Sequence, residues 1–565
     1  MIKAAPPRKT VQVRLDDGRT FNGPVGETAE AFFLAARPAV KGDVVACLLN
    51  GHLRELTEPI LHDSELIPIT TGDSDGGRIY RRSLSFLLIA AYAELFPDGT
   101  LNVQHSLPFG GYYCESTAPD RLSAADLTAI QARMEALVEA DLPITREQLP
   151  LDEAIALFRA QGDEDKAELF AKRRKGYLTI YELNGVRDYF HGFMVSRTSY
   201  LRYFALHAYK DGFIVQFPRR HRPDILLPFA DSPRLADVFQ TYSDWLEIIG
   251  VPRVAALNNA LSNGRAKETV LVAEAFHQRQ VTHIAGQIAA QQPDAKLVLI
   301  SGPTSAGKTT FSKRLAVQLL AHGIHPVTIA LDNYFVDRDR TPRDANGDYD
   351  FEALHALDLP LFQSHLRDLL RGDAIQMPHY NFITGKRESG GELRLRPDQV
   401  LLLEGIHGLN PRLVGDLPGR SMYRIFISAF TQLNLDLHNR VPTTDTRLLR
   451  RIVRDAAHRG YSAADTIGRW PSVRRGEKTW IFPNQDHADI FFNSALVYEL
   501  AALKTLAFPL LLQVEPGTPE RIEANRLRAF LQWFDPVDIN LIPDNSLLRE
   551  FVGGSVLEDF QPWVD

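Results

Sequence analysis

The sequence predicts an α/β fold, with a parallel sheet and its covering helices in the C-terminal half and two smaller α+β modules before it. Three observations predict this. Ala295-Lys296-Leu297-Val298-Leu299-Ile300 is a short apolar run of the kind buried on both faces of a parallel sheet. Directly after it comes Gly302-Pro303-Thr304-Ser305-Ala306-Gly307-Lys308-Thr309, which has the spacing of a phosphate-cradling P-loop between a strand and a helix. From there to the C-terminus, strand-like and helix-like segments alternate.

The chain has 565 residues, 45% hydrophobic and 24% charged. At roughly 100–200 residues per domain that predicts several domains. It excludes wholesale disorder, collagen and coiled coil. The net charge of −7 advertises no globally basic nucleic-acid binder, although a local basic patch is compatible with it. Two cysteines, Cys47 and Cys114, exclude a disulfide framework and a zinc site built on Cys pairs. The opening MIKAAPPRKT has no apolar core, and no stretch reaches about 18 uninterrupted apolar residues, so neither a secretory signal nor a membrane helix is expected. A cytoplasmic, multidomain enzyme is the default.

Along the chain, Val11 to Leu15 alternates with period two, and Asp16-Asp17-Gly18 is a turn signal that closes a hairpin. Thr28 to Ala36 reads as a helix and Val44 to Leu49 as a strand before Asn50-Gly51, which makes residues 8–70 a compact α+β module ending at Ile67-Pro68-Ile69-Thr70. Asp73-Ser74-Asp75-Gly76-Gly77 reads as a linker. A second module, residues 75–234, starts with helical spacing over Arg81 to Phe96. It continues through a long polar helix, Ala124 to Asp141, and a strand over Tyr177 to Leu183. Residues 235–292 read as a helical connector, and residues 293–565 as the α/β domain. No internal repeat or low-complexity tract is visible.

The P-loop pattern assigns roles by chemistry. Its glycines let backbone N–H groups curl around phosphate oxygens, Lys308 adds a point charge, and the Thr309 hydroxyl can hold Mg²⁺. A helix starting near Lys308 turns its positive end to the anion. Phe311, Leu315 and Leu319 give it one buried face, and Gly323 ends it. Ligands of such sheets sit beyond the C-terminal ends of the strands. The run Val327 to Leu331 ends at Asp332, and Val400 to Leu403 ends at Glu404. Glu404 is therefore the candidate Mg²⁺ carboxylate, and Asp332 the candidate base for a hydroxyl proton. Residues 440–478 then carry ten Lys/Arg against four acids. Arg447, Arg451 and Arg454 share one helical face with Arg450 beside it, an expected cationic lid over a transferring phosphoryl group. The absence of an Asn-Lys-x-Asp guanine motif favours ATP.

Gly302–Thr310, Leu331-Asp332-Asn333-Tyr334-Phe335, Pro378-His379-Tyr380-Asn381-Phe382 with Arg387, Glu404-Gly405-Ile406, and Asp445 to Asp455 together resemble the uridine kinase/phosphoribulokinase family over about 293–500. The resemblance implies that Gly302, Pro303, Thr304, Ser305, Ala306, Gly307, Lys308, Thr309 and Thr310 hold ATP. It implies that Thr309 and Glu404 hold Mg²⁺ and that Asp332 is the catalytic base. Lys308 and the lid arginines Arg447, Arg451 and Arg454 would act on the phosphates, and Tyr334, His355, His379, Tyr380, Asn381 and Arg387 would line the acceptor site. Two departures bear on the acceptor: Asn381 stands where the family has Asp, and His355 where it has an acid in the segment Phe351 to Asp358.

Residues 8–70 resemble a TGS domain. Residues from about 75 to 220 resemble the editing domain of threonyl-tRNA synthetase, through Leu95-Phe96-Pro97-Asp98, Phe109-Gly110-Gly111-Tyr112-Tyr113 and Asp188 to Gly192. At the positions of that domain's metal-type motif stand Arg82, Phe86, Phe190 and Met194, none of them a competent ligand, so no zinc and no hydrolytic activity are expected there. His105 and His191 nearby read as ordinary polar or core histidines. The leading expectation is an ATP- and Mg²⁺-dependent kinase for a nucleoside-like small molecule. A sugar kinase of the phosphoribulokinase type is the second. The third is an RNA- or ribosome-associated protein that uses ATP as a switch, with RNA contact through the N-terminal modules.

Overall fold

The structure is a computed structural model that describes residues 8–117, 121–344, 347–415, 422–431 and 433–562. The first seven residues of the sequence, on which the signal-peptide expectation rests in part, lie outside them.

The N-terminal module is a five-stranded mixed sheet with one helix. Thr10–Leu15 and Thr20–Pro24 form the expected hairpin, with Val13 opposite Phe21. Thr10–Leu15 also runs parallel to Ser64–Thr70, which pairs antiparallel with Val44–Leu49. Alternation along the first strand buries Val11, Val13 and Leu15 against Phe32, Phe33 and Leu66. The helix Ala29–Ala36 starts where the Thr28 hydroxyl accepts a bond from the Ala31 N–H.

Residues 73–77 are not a linker. They open the 22-residue helix Ser74–Leu95. Asp73 stands at its N-cap and accepts bonds from the Thr70 N–H (2.7 Å) and hydroxyl (2.8 Å). Gly76 is required by proximity, since a Cβ there would lie 1.9 Å from the Thr70 carbonyl oxygen. An acidic, glycine-rich stretch looks like a tether locally; the close docking of the helix on the preceding strand is invisible without tertiary structure. The long helix lies among a four-stranded sheet (Ala205–Tyr209, Gly212–Gln216, Gly111–Ser116, Leu101–Leu107), a three-stranded sheet around Tyr177–Leu183, and the helix Ala124–Glu139.

Helices Pro233–Ile248, Val254–Ala260 and Ala266–Ala290 follow, the last two meeting at a kink where Gly264 takes φ 80°. They share one buried cluster with the parallel sheet, in which Trp245 stacks on Phe276 at 4.3 Å. Glu274 accepts from the Tyr498 hydroxyl (2.7 Å) and from Ser546 Oγ, tying this layer to the C-terminal segment.

The C-terminal half is a five-stranded, all-parallel sheet in the spatial order His325–Ala330, Gln399–Glu404, Leu297–Ser301, Met422–Ser428, Ile490–Asn493. The central strand is buried at every residue, as a strand covered on both faces must be. Phe311, Leu315 and Leu319 on the following helix, Lys308–Ala321, are fully buried. No helix among the described residues is long and apolar enough to cross a membrane.

Burial holds the imidazoles of His277 and His191 down at about 3, with neighbouring arginines adding to the effect. The unfolded chain binds these protons near 6.5, whereas the fold refuses them. Their contribution is therefore fully present above 6.5 and is lost as pH falls towards 3. Each can steepen acid destabilisation by up to about 1.4 kcal/mol per pH unit in that window. His277 donates Nε2–H to the Ala495 carbonyl at 2.9 Å, a bond that a glutamine amide can replace. His277→Gln is expected to show a shallower fall of the thermal midpoint with acid than the parent protein. Equal slopes would place the acid lability elsewhere.

Candidate functional site

The site forms at the C-terminal ends of three adjacent strands. Glu404 is in register with Ile300 on one side and Ala330 on the other. The loop leaving Ile300 and the turn Leu331–Tyr334 leaving Ala330 therefore flank it. Gly302 approaches the neighbouring strand so closely that a Cβ would lie 2.0 Å from the Ile427 carbonyl oxygen. Gly307 has φ 87°, the left-handed geometry that glycine adopts without penalty. Lys308 Nζ folds back to the Pro303 carbonyl at 3.2 Å.

Lys308, Thr309, Asp332 and Glu404 come together. Thr309 Oγ1 lies 3.5 Å from Glu404 Oε2. Burial pushes Glu404 up to about 7; Lys308 opposes this, while the charges of Asp332 and Glu550 reinforce it. Burial also raises Asp332, against the pull of Lys308, Arg459 and Arg454, and no hydrogen bond to its carboxylate is found among the described residues. Two carboxylates thus face one lysine, a net negative centre suited to a divalent cation.

The basic helix Thr443–His458 departs from expectation. Arg447 does not face outward over the loop. It is fully buried, pairs both Nη atoms with Glu477 and donates to the Thr304 carbonyl at 3.0 Å. Arg450, also buried, pairs with Glu499 and reaches the carbonyls of Ser305 and Ala306. Both brace the loop from behind. Arg447, Arg451 and Arg454 do share a face, but seven residues along an α-helix is about 10 Å, so only the later pair reaches the rim. Arg451 lies 3.4 Å from Thr304 Oγ1, and both Arg451 and Arg454 pair with Asp455. Asp445 grips Arg526 with both oxygens.

The expected acceptor residues are not brought to one point. Tyr334 is buried, its hydroxyl 3.2 Å from His365. Asn381 is used by the hairpin it belongs to: Oδ1 accepts from the N–H groups of Ile383 and Thr384, and Nδ2 donates to Glu388 at 3.0 Å. An aspartate could accept the same two backbone bonds but could not donate to Glu388, so the amide matches its neighbour in the hairpin. Arg387 pairs with Asp358 at 2.8 Å. Tyr380 is buried, whereas His379 and His355 are exposed, the His355 ring 6.2 Å from that of Trp480.

Three carboxylates escaped the sequence reading. Glu477 accepts from the Thr304 N–H at 3.2 Å. Glu550, from the short helix Arg549–Val552, accepts from the Thr310 N–H (3.2 Å) and hydroxyl (3.0 Å). Glu352 is pushed up to about 7 by burial, with Arg451 opposing; it adjoins Gly476, where a Cβ would lie 2.2 Å from its own Cβ. Glu352 stands at an acidic position of the segment Phe351 to Asp358, which was a signal. Glu477 and Glu550 lie far from any strand end and gave none.

In the N-terminal half, the four positions of the metal-type motif are adjacent. Phe86 meets Phe190 at 5.0 Å, Met194 Sδ accepts from Ser83 Oγ at 3.7 Å, and Arg82 donates to the Phe193 carbonyl at 2.5 Å. Among the described residues no group of three or more His, Cys, Asp or Glu is placed to hold a metal.

A parallel sheet carrying a P-loop, with acids at the ends of the two strands beside it on one side, defines a P-loop kinase domain. Residues 297–501 match the phosphoribulokinase/uridine kinase family, and the chain belongs to that family. The uridine kinase of Halobacterium salinarum is 32% identical over 193 residues, 34% of this chain and 76% of that protein. The N-terminal region is similar to threonine–tRNA ligases. That of Laribacter hongkongensis is 34% identical over 200 residues, 34% of this chain and 31% of the ligase. The chain thus spans about a third of the length of the ligases it matches. Among solved structures, phosphoribulokinase from Rhodobacter spheroides aligns with 35% of this chain and 69% of its own at 20% identity, with a TM-score of 0.25.

Removing one partner of a buried ion pair leaves the other charge uncompensated, at a cost of about 3–5 kcal/mol. Glu477→Gln is expected to lose stability of that order, because Arg447 and Arg474 both depend on it. Denaturant unfolding measures it. A loss within the range of a surface substitution would show that the carboxylate is dispensable.

Proposed function

We propose that this protein transfers the terminal phosphoryl group of ATP, in the presence of Mg²⁺, to a hydroxyl of a nucleoside-like small molecule. The observation that supports this most directly is the convergence of Lys308, Thr309, Glu404 and Asp332 at adjoining strand ends.

In this reading the loop N–H groups and the start of the helix Lys308–Ala321 bind phosphate oxygens. Lys308 places its charge beside them. Thr309 and Glu404 would hold Mg²⁺, which supplies charge neutralisation on the phosphates when bound. A Glu404 pushed up to about 7 by burial fits a site completed by a cation. Asp332 accepts the proton of the acceptor hydroxyl at its carboxylate, and Lys308, Arg454 and Arg459 favour its charged form against burial. Arg451, at the rim beside Thr304, adds charge to the closing site. The similarity to threonine–tRNA ligases favours a second reading, an RNA-associated protein that binds ATP as a switch. ATP retention without transfer to any acceptor would favour it.

Labelled ATP incubated with a panel of nucleosides and sugars tests the proposal, with transfer to a nucleoside as the expected outcome. Lys308→Ala should abolish turnover. Asp332→Asn should keep ATP binding and lose roughly 10²–10⁴-fold in rate; normal turnover would show that Asp332 is not the base.

Glu550 leads to a separate expectation. It puts a carboxylate on donors at the start of the P-loop helix, where an anion is worth about 1 kcal/mol. Glu550→Gln should therefore lower KM for ATP by about fivefold, which corresponds to that energy. A raised KM would instead make Glu550 part of the nucleotide site.

A further inference from the structure

Outside the P-loop centre the fold gathers a second set of cations. Arg81, on the helix Ser74–Leu95, lies with its guanidinium 5.6 Å from the centre of the Phe217 ring. Phe217 meets Tyr112 edge-on at 4.7 Å, and the guanidinium of Arg440 lies 4.6 Å from the Tyr112 ring. Arg440 comes from the loop before the helix Thr443–His458 and donates Nε to the Gln104 carbonyl at 2.6 Å. The chain of contacts therefore crosses from the N-terminal half to the basic segment of the C-terminal half. Arg219 runs along Gly110, where a Cβ would stand 2.8 Å from its Cδ. Arg220 follows it, and Lys478 joins from the C-terminal half, acted on by Arg220, Arg474, Arg219 and Arg81.

These cations differ from the others in the structure. Arg78 pairs with Asp75 and Glu523, Arg474 with Glu477, and Arg526 with Asp445. Among the described residues, no carboxylate lies within ion-pair distance of Arg81, Arg219, Arg220, Arg440 or Lys478. Asp73 raises Arg220 against the neighbouring Arg78, Arg81 and Arg475. Burial, then neighbouring cations, hold Arg219 down at about 10 and Lys478 at about 8. Arg81, Arg219, Arg220 and Arg440 are half-buried and Lys478 is exposed; like charges partly withdrawn from water cost free energy, and an anion removes that cost. Guanidinium forks match phosphate oxygens two at a time.

We propose that this set of cations binds a small ligand carrying two or more phosphate groups. Several cations converge on one place, more than a single phosphate would need. Nucleic-acid surfaces expose extended basic stripes, whereas these cations sit in a chain of net charge −7. Lys478 directly follows Glu477, whose carboxylate holds the Thr304 N–H of the P-loop. A ligand drawn to Lys478 thus lies next to the brace of the phosphate loop. The inference does not depend on the kinase reading.

Calorimetric titration of the full chain with inorganic tripolyphosphate tests it. Two binding events are expected, and Lys308→Ala should remove only the P-loop event. In that background, Arg219→Ala with Arg220→Ala should weaken the remaining event by about tenfold or more, since each charged hydrogen bond is worth about 1.5–3 kcal/mol. The same double variant should keep or raise the thermal midpoint of the ligand-free protein, because it relieves repulsion. Unchanged tripolyphosphate affinity in the double variant overturns the proposal, as does a single event in the parent protein that Lys308→Ala abolishes. A short single-stranded RNA that binds through Arg219 and Arg220 where tripolyphosphate does not would also overturn it, by making this set of cations a nucleic-acid surface.

Discussion

Glu477 has no exposed surface and accepts four bonds, two at each oxygen: from the Thr304 N–H and one Arg447 nitrogen at Oε1, and from the other Arg447 nitrogen and Arg474 at Oε2. Burial alone would keep it protonated, but Arg447 and Arg474 more than offset this and hold it below the usual carboxylate range. Three separate pieces of chain meet there: the phosphate loop, the first turn of the basic helix, and the end of the helix Ala463–Gly476. A buried ion group of this kind is weak evidence for net stability and better evidence for a fixed arrangement. Here the arrangement fixed is the path of the loop backbone.

The second brace works from the other side. Arg450 is saturated by Glu499 and Ser494 and directs its remaining nitrogen at the carbonyls of Ser305 and Ala306. Ser305 itself takes a left-handed φ of 57°, a strained conformation for a residue with a side chain, which persists only where the surroundings impose it. The carbonyls of Thr304, Ser305 and Ala306 are thus held from behind by the two arginines. The helices before the sheet take part as well: Glu274 bonds Tyr498 and Ser546 and lies 3.4 Å from Arg314 of the P-loop helix.

Much of this was legible in the sequence. The P-loop, the strand before it, the buried face of Phe311, Leu315 and Leu319, and the two acids ending strands all follow from short-range patterns: apolar runs, helical spacing and a motif whose residues are contiguous. What was not legible depends on distant contacts or on position along an axis. Arg447 and Arg454 have the same angular position on their helix, and spacing alone could not show that one is tucked under the loop and the other reaches the rim. Asp73 to Gly77 has the composition of a tether, and only the approach of Gly76 to Thr70 makes it a helix start. The turn bonds of Asn381 belong to a hairpin whose register the sequence does not fix. Glu477 and Glu550 are single acids in helices, without any pattern around them.

The same distinction separates the two sets of arginines. A basic segment in an acidic chain invites a single explanation, but the structure divides it by partner. Arg447, Arg450 and Arg474 are neutralised by buried carboxylates and shape the loop; their charge is spent inside the fold. Arg440 and Lys478 belong to the same segment by sequence and have no such partner among the described residues; Arg81 acts on both of them from the N-terminal half. In that half, the positions of a metal-type motif are filled by a phenylalanine pair, a methionine and Arg82, which burial holds down at about 10. Glu55 stands among these side chains, accepting from the Met194 N–H at 2.9 Å and from the Tyr181 hydroxyl at 2.6 Å. The phosphate loop and the junction therefore draw on different members of one basic sequence, and the carboxylate partners found among the described residues tell them apart.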